Sequence, residues 1–187
     1  MKIIIASSSE NRKKLILQEF PNYAFEFIPP DYKEKEHKYC IIPILLALRN
    51  SHKKAISLKG RFPNNLIIAF DTVIYRNFKI YNKPADNITA QKMLKDLSGK
   101  KHKVVTGITS VKNNKIKHYI NISIVKFKKL TYKDIEEYIA LGESLHRAGG
   151  YAIQKNALKY LIEYYKGDYT NIIGAPIKTV KNIIAGA

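Results

Sequence analysis

The chain is predicted to fold as a single α/β domain on a mixed sheet, and three observations carry that expectation. Short apolar runs of strand length alternate with segments of helical spacing along the whole sequence. Hairpin signals at Arg76-Asn77 and Asn113-Asn114 place antiparallel neighbours where a doubly wound fold would have only parallel ones. A length of 187 residues suits one domain, or two lobes sharing a core, and 45% hydrophobic residues suffice to fill it.

Lys2–Ala6 reads as a buried strand, Ser7-Ser8-Ser9-Glu10-Asn11 as a polar loop, and Arg12–Phe20 as a helix. Ala24–Ile28 is a second strand stopped by Pro29-Pro30, followed by a charged loop over Asp31–Lys38. Ile42–Leu58 reads as a helix whose start Pro43 disturbs. Leu66–Phe70 and Val73–Tyr75 are strand, and Lys79–Tyr81 returns after the turn. Asp86 or Asn87 caps a helix through Leu97 that carries Ile88, Met93 and Leu94 at helical spacing; Gly99 ends it. His102–Val111 and Lys115–Phe127 are long strands. Thr131-Tyr132-Lys133-Asp134 is a capping box with Asp in place of Glu, opening a helix through Leu141. Gly149-Gly150 leads to a strand at Tyr151–Ile153, a helix over Ala157–Tyr165, a strand at Asn171–Ile173 and a last helix from Pro176.

Composition excludes several classes. No apolar run is long enough to span a bilayer, and Met1–Ala6 is too short an apolar stretch for a signal peptide. Cys40 is the only cysteine, which rules out an intrachain disulfide and a cysteine metal cluster and points to a reduced, cytoplasmic setting. The net charge of +18 would attract nucleic acid, nucleotides or an anionic membrane. The lysines are scattered over every segment, however, in a chain also rich in Ile, Asn and Tyr. That pattern favours compositional drift over a nucleic-acid patch, with attraction to a polyphosphate as a by-product.

Phe70-Asp71-Thr72 puts an ionisable group at the end of the apolar run Leu66-Ile67-Ile68-Ala69, where a carboxylate must be paired, hydrated or metal-bound. Such an aspartate serves as a general base or metal ligand, or pairs with a nearby lysine at a strand end. Ser7 to Lys14 forms an anion cradle of hydroxyls and a helix start, or equally a capping loop. It lacks the glycines of a Walker loop. Glu34 offers a second metal ligand or belongs to a solvated loop. Lys54 and Lys83 are candidate phosphate-binding cations, and the Gln154 amide can read a base edge. Asp86 and Asp96 read as structural, a helix cap and an exposed helix face.

Several segments occur together and in order: Ala6-Ser7-Ser8-Ser9 with Arg12, Phe25–Glu34, Lys54-Ala55, Asp71-Thr72-Val73 and Lys83-Pro84-Ala85-Asp86. Further on come Met93-Leu94 with Leu97-Ser98-Gly99, Val105-Thr106-Gly107, Gly142-Glu143, Ala148-Gly149, Ile153-Gln154 and Ile173-Gly174-Ala175-Pro176. In this order and spacing the chain resembles the Maf (septum-formation) family of nucleoside triphosphate pyrophosphatases over nearly its whole length. The resemblance implies a strongly bent mixed sheet flanked by helices, with two lobes around a cleft, often in a homodimer. It also implies hydrolysis of a nucleoside triphosphate to the monophosphate and pyrophosphate with Mg2+ or Mn2+.

On the matching positions, Asp71 would activate the attacking water and Glu34 with Asp71 would hold the metal. Ser7, Arg12, Lys54 and Lys83 would bind the triphosphate. Asp71-Thr72 with Ile153-Gln154 resembles the branch acting on dTTP and UTP, which would put Thr72 and Gln154 near the substrate. Glu10-Asn11 stands where that family has Pro-Arg, Phe70 where it has alanine, Asn82 where it has glycine, and His146-Arg147 where it has Asp-Lys. Rival readings are the same reaction on modified or non-canonical nucleotides, and a non-catalytic nucleic-acid-binding or cell-division module.

Overall fold

The computed structural model describes residues 2–34, 37–154 and 156–187; Lys35 and Glu36 of the expected charged loop lie outside them. In chain order the elements are β1 (Ile3–Ala6), α1 (Glu10–Glu19), β2 (Phe25–Ile28), α2 (Pro43–Lys59), β3 (Leu66–Arg76), β4 (Lys79–Ile80) and α3 (Asn87–Leu97). They continue with β5 (Lys101–Lys112), β6 (Lys115–Phe127), α4 (Tyr132–Ala140), a 3-10 turn (Ala148–Gly150), α5 (Asn156–Tyr160), β7 (Ile162–Lys166), α6 (Tyr169–Ile173) and α7 (Ile177–Ala185). The seven strands form one mixed sheet in the order β2-β1-β3-β5-β6-β7, with β4 paired to β3. β2, β1 and β3 run parallel, whereas β5, β6 and β7 add antiparallel neighbours.

The predicted break in the third strand is absent. β3 passes through Asp71 because β5 pairs with it continuously, from Ile67 opposite Val111 to Tyr75 opposite Lys103, so the backbone keeps partners on that side. On the other side β1 stops at Ala6, opposite Ala69. Asp71 therefore sits two residues beyond the carboxyl end of β1, in the middle of one strand and at the mouth left by another.

Side chains along β3 alternate between faces. Ile67 and Ala69 pack with Ala55 and Leu58 of α2, and Val73 packs with Ala47 of the same helix. Ile68 and Phe70 face the other way, packing with Ile16 of α1 and Val180 and Ile183 of α7. Further along the same strands, Ile74 and Val104 join a separate core with Leu94 and Leu97 of α3, Ile135 and Tyr138 of α4, and Tyr151. The long strands thus run from one apolar lobe into the next, and the cleft is lined from both.

The C-terminal third departs from expectation. Tyr151–Ile153 forms no strand. The helix expected over Ala157–Tyr165 ends at Tyr160, and the aromatic stretch beyond it becomes β7 because β6 offers it an edge, with Val125 opposite Tyr165. Asn171–Ile173 lies in a helix, α6, capped at its start by the Asp168 side chain and ended by left-handed Gly174. Asp86 does cap α3, and the Thr131–Asp134 capping box is formed. Asp96 is not on a free helix face: its carboxylate binds Lys79, the Tyr81 hydroxyl and Lys100, which together override burial and pull its pKa down to about 2.

Candidate active site

α2 crosses the sheet face onto which Asp71 points, and Gly107 makes this approach possible. Gly107 lies opposite Asp71 on β5, and a Cβ there would come within 2.5 Å of the Ala47 carbonyl. The close contact brings one polar stripe of α2, Asn50 and Lys54, onto Asp71; residues four apart share a helix face. Lys54 Nζ donates to Asp71 Oδ1 at 2.8 Å and to the Phe70 carbonyl at 3.2 Å, and forms an ion pair with Glu34. All three ammonium donors are used. Asn50 Nδ2 donates to Asp71 Oδ2 at 3.1 Å, while Asn50 Oδ1 accepts from the Tyr32 hydroxyl at 3.2 Å.

Asp71 is only 3% exposed. Burial pushes its pKa up, opposed by the Lys54 charge and reinforced by Glu34. For Glu34, burial acts upward too, but Lys54 overcomes it, and Lys83 and Arg12 add to the downward pull. The two carboxylates consequently differ in proton affinity although they share one lysine.

The next residue of β3, Thr72, points to the opposite face and meets Arg12 of α1. Arg12 Nη2 donates to Thr72 Oγ1 at 3.0 Å, Nη1 to Ser7 Oγ at 3.3 Å, and Nε to the Gly174 carbonyl at 2.7 Å. Thr72 Oγ1 lies a further 3.0 Å from Thr106 Oγ1. Ser9 caps α1 through the Arg12 N–H, so the loop Ser7–Ser9 is folded as a cap and also faces the cleft. Glu10 occupies the first turn, where an acid suits the helix dipole.

A cleft of about 590 Å³ brings together Ser7, Arg12, Glu34, Lys54, Thr72, Lys83 and Gln154. Asp71 forms the buried base of that group through its bonds to Lys54 and Asn50. All eight residues singled out in the sequence thus converge on one place. Asn50 and Tyr32 were not among them. The signal was present, since Asn50 lies four residues before Lys54 and Tyr32 two before Glu34. Neither spacing gains meaning until Asp71 is seen between the two segments.

The donor set suits a hard divalent cation. Glu34 and Asp71 are the two carboxylates that could hold such a cation; the point they share here is taken by the Lys54 ammonium, so a cation would have to sit on their remaining lone pairs. Among the described residues no third carboxylate, histidine or cysteine joins them. One or two carboxylates completed by substrate phosphates and water is the usual Mg2+ arrangement.

Fold and site define a class: a mixed α/β protein with a buried carboxylate held by the lysine that lines a polar cleft rich in cations. The family model for Maf-like protein matches residues 2–187, and the chain belongs to that family. The dTTP/UTP pyrophosphatase of Pyrococcus furiosus is 39% identical over 183 residues, covering 98% of this chain and 94% of its own length. That of Clostridioides difficile is 36% identical over 192 residues, with 98% and 94% covered. Among solved structures, the Staphylococcus aureus Ham1 protein superposes with a TM-score of 0.55 at 13% identity, over 100% of this chain and 99% of that one. The last likeness is one of fold. No helix among the described residues is long and apolar enough to cross a membrane.

Proposed function

We propose that this chain hydrolyses a nucleoside triphosphate, dTTP or UTP, to the monophosphate and pyrophosphate, clearing unwanted nucleotides from the cytoplasm. The observation that carries the reading is the buried Asp71 carboxylate, held by Lys54 and Asn50 beside a cleft that also collects Ser7, Arg12 and Lys83. The names of the relatives from Pyrococcus furiosus and Clostridioides difficile support the same substrate pair.

Each carboxylate oxygen of Asp71 has a second lone pair beyond its bond to Lys54 or Asn50, so the group retains acceptor capacity for a water proton. Its raised proton affinity suits a general base. Arg12, Lys54 and Lys83 line the cleft, where their positive charge would neutralise phosphate oxygens. The Arg12 fork is pre-oriented by Ser7, Thr72 and Gly174. A bound Mg2+ or Mn2+, held by Glu34 and Asp71, would neutralise charge on the triphosphate oxygens. Gln154, which lines the same cleft, would read the base through its amide. A homodimer is part of the proposal, supported by apolar side chains left exposed around the start of α2 at Ile41, Ile42, Leu45 and Phe78.

The test is pyrophosphate release from dTTP, UTP, CTP, 7-methyl-GTP and ITP, with and without Mg2+ or Mn2+. Release from dTTP or UTP that needs the cation is the expected result. Release from ITP or 7-methyl-GTP alone would move the reading to modified nucleotides. A folded protein that releases none would favour a binding module instead.

A further inference from the structure

Asn50 is a buried amide, 6% exposed, with a partner at each end. Its orientation follows from chemistry: the Tyr32 hydroxyl donates to Oδ1, and the ionised Asp71 can only accept, so the amide NH2 must face Asp71. The reverse orientation would press an amide oxygen against a carboxylate. The Asp71 carboxylate thereby selects the orientation in which Asn50 is its donor, and the Tyr32 hydroxyl, able to donate, completes it at Oδ1.

Two ties run in parallel from the loop after β2 to Asp71. Tyr32 reaches Oδ2 through Asn50, and Glu34 reaches Oδ1 through Lys54. With two donors held four residues apart on the same stripe of α2, one on each oxygen, rotation of the carboxylate about its last bond would break at least one hydrogen bond. With only Lys54, it could swing while keeping that ion pair. The loop is anchored in the same way, at Tyr32 and Glu34, and Lys53 stacks on the Tyr32 ring from α2 at 5.3 Å.

We infer that Asn50 is a positioning residue for the hydrolysis: it fixes the rotation of the Asp71 carboxylate and, through Tyr32, ties the Glu34 loop to that carboxylate. The inference rests on the function proposed above. An apolar residue at position 50 would pack against α2's neighbours but leave Asp71 Oδ2 without its donor, a loss of orientation rather than of binding.

The experiment compares wild type, Asn50→Leu, Asn50→His and Tyr32→Phe by steady-state kinetics on dTTP or UTP, and by amide hydrogen exchange over residues 31–34. Expected for Asn50→Leu is a kcat lowered about tenfold or more with KM within about twofold. Asn50→His keeps a donor near the same place and recovers most of kcat. Tyr32→Phe, a milder change that leaves the interior intact, gives a smaller loss in the same direction. Exchange over 31–34 is faster in both Asn50→Leu and Tyr32→Phe. A kcat for Asn50→Leu within about twofold of wild type would overturn the inference, as would equal losses in the Leu and His variants. If wild type hydrolyses no nucleotide, the function proposal fails by itself. The exchange measurement then still decides the tie: unchanged exchange in both variants overturns it.

Discussion

Asp71 and Thr72 are consecutive on β3 and serve opposite faces of the sheet, Asp71 bonding Lys54 of α2 at 2.8 Å and Thr72 bonding Arg12 of α1 at 3.0 Å. A strand's alternation thus delivers a carboxylate and an arginine anchor to one cleft mouth, because β1 ends just before them. The site needs both helices, and either can be perturbed separately.

Arg12 uses three nitrogens on three partners, Gly174, Ser7 and Thr72. Lysine has the charge but cannot span this fork. Arg12→Lys is expected to lower kcat/KM roughly 10–100-fold, the cost of one or more lost charge-assisted hydrogen bonds. The melting temperature should fall too, because these bonds also tie α1 to β3 and to the end of α6. Unchanged kinetics would show that charge alone suffices.

Lys83 is exposed on the loop before α3, yet its charge acts on Glu34 across the cleft. The loop is held by Asn82, whose side chain donates to the His37 carbonyl and whose own carbonyl accepts from Gly149. Lys83→Ala should cost about tenfold or more in kcat/KM if the ammonium meets phosphate. Steady-state kinetics at low ionic strength would show it, and kinetics equal to wild type would make Lys83 a bystander.

Gly107→Ala places a methyl 2.5 Å from backbone atoms of Ala47, which cannot rotate away. α2 must move off the sheet. We expect a loss of about 3 kcal/mol, with lowered activity because the same helix carries Asn50 and Lys54. Thermal unfolding checks the first part; a wild-type melting temperature would contradict the close packing.

His102 lies under the cleft floor, with Nε2 2.7 Å from the Tyr151 hydroxyl. Burial, with Arg76 nearby, pushes its pKa down to about 3. In the unfolded chain it protonates below about pH 6.5. Between those values the unfolded state binds the extra proton, so stability falls as pH drops through the window. At pH 4.5 this residue alone accounts for about 2–3 kcal/mol. The melting temperature of His102→Gln should fall less steeply than that of wild type from pH 7 to about pH 4.5. Parallel declines would contradict the burial argument.

How far the sequence revealed all this depends on what fixes each element. The long strands, the two hairpin turns, α2 and the Thr131–Asp134 box were legible because periodicity and caps are local. β7 and α6 were not: each is only five residues long, and edge pairing in one case and a buried Asn171 bonded to Val104 and Ser123 in the other decide their form. The continuity of β3 through Asp71 was likewise hidden, since it depends on β5, thirty-odd residues later. Asp96 looked like a surface residue because its partners Lys79 and Tyr81 arrive from a hairpin. The site's cations and carboxylates could be named from motif order. Asn50 and Tyr32 could not, because their meaning lies in a contact between three segments.

The central claim is that Asp71 is the base for pyrophosphate release. The measurement is turnover of dTTP or UTP by wild type and Asp71→Asn at equal fold content, checked by circular dichroism and melting. The amide keeps the shape and removes the proton acceptor, so turnover should drop by about 10²–10⁴. Turnover by a folded Asp71→Asn within a few-fold of wild type would contradict the account.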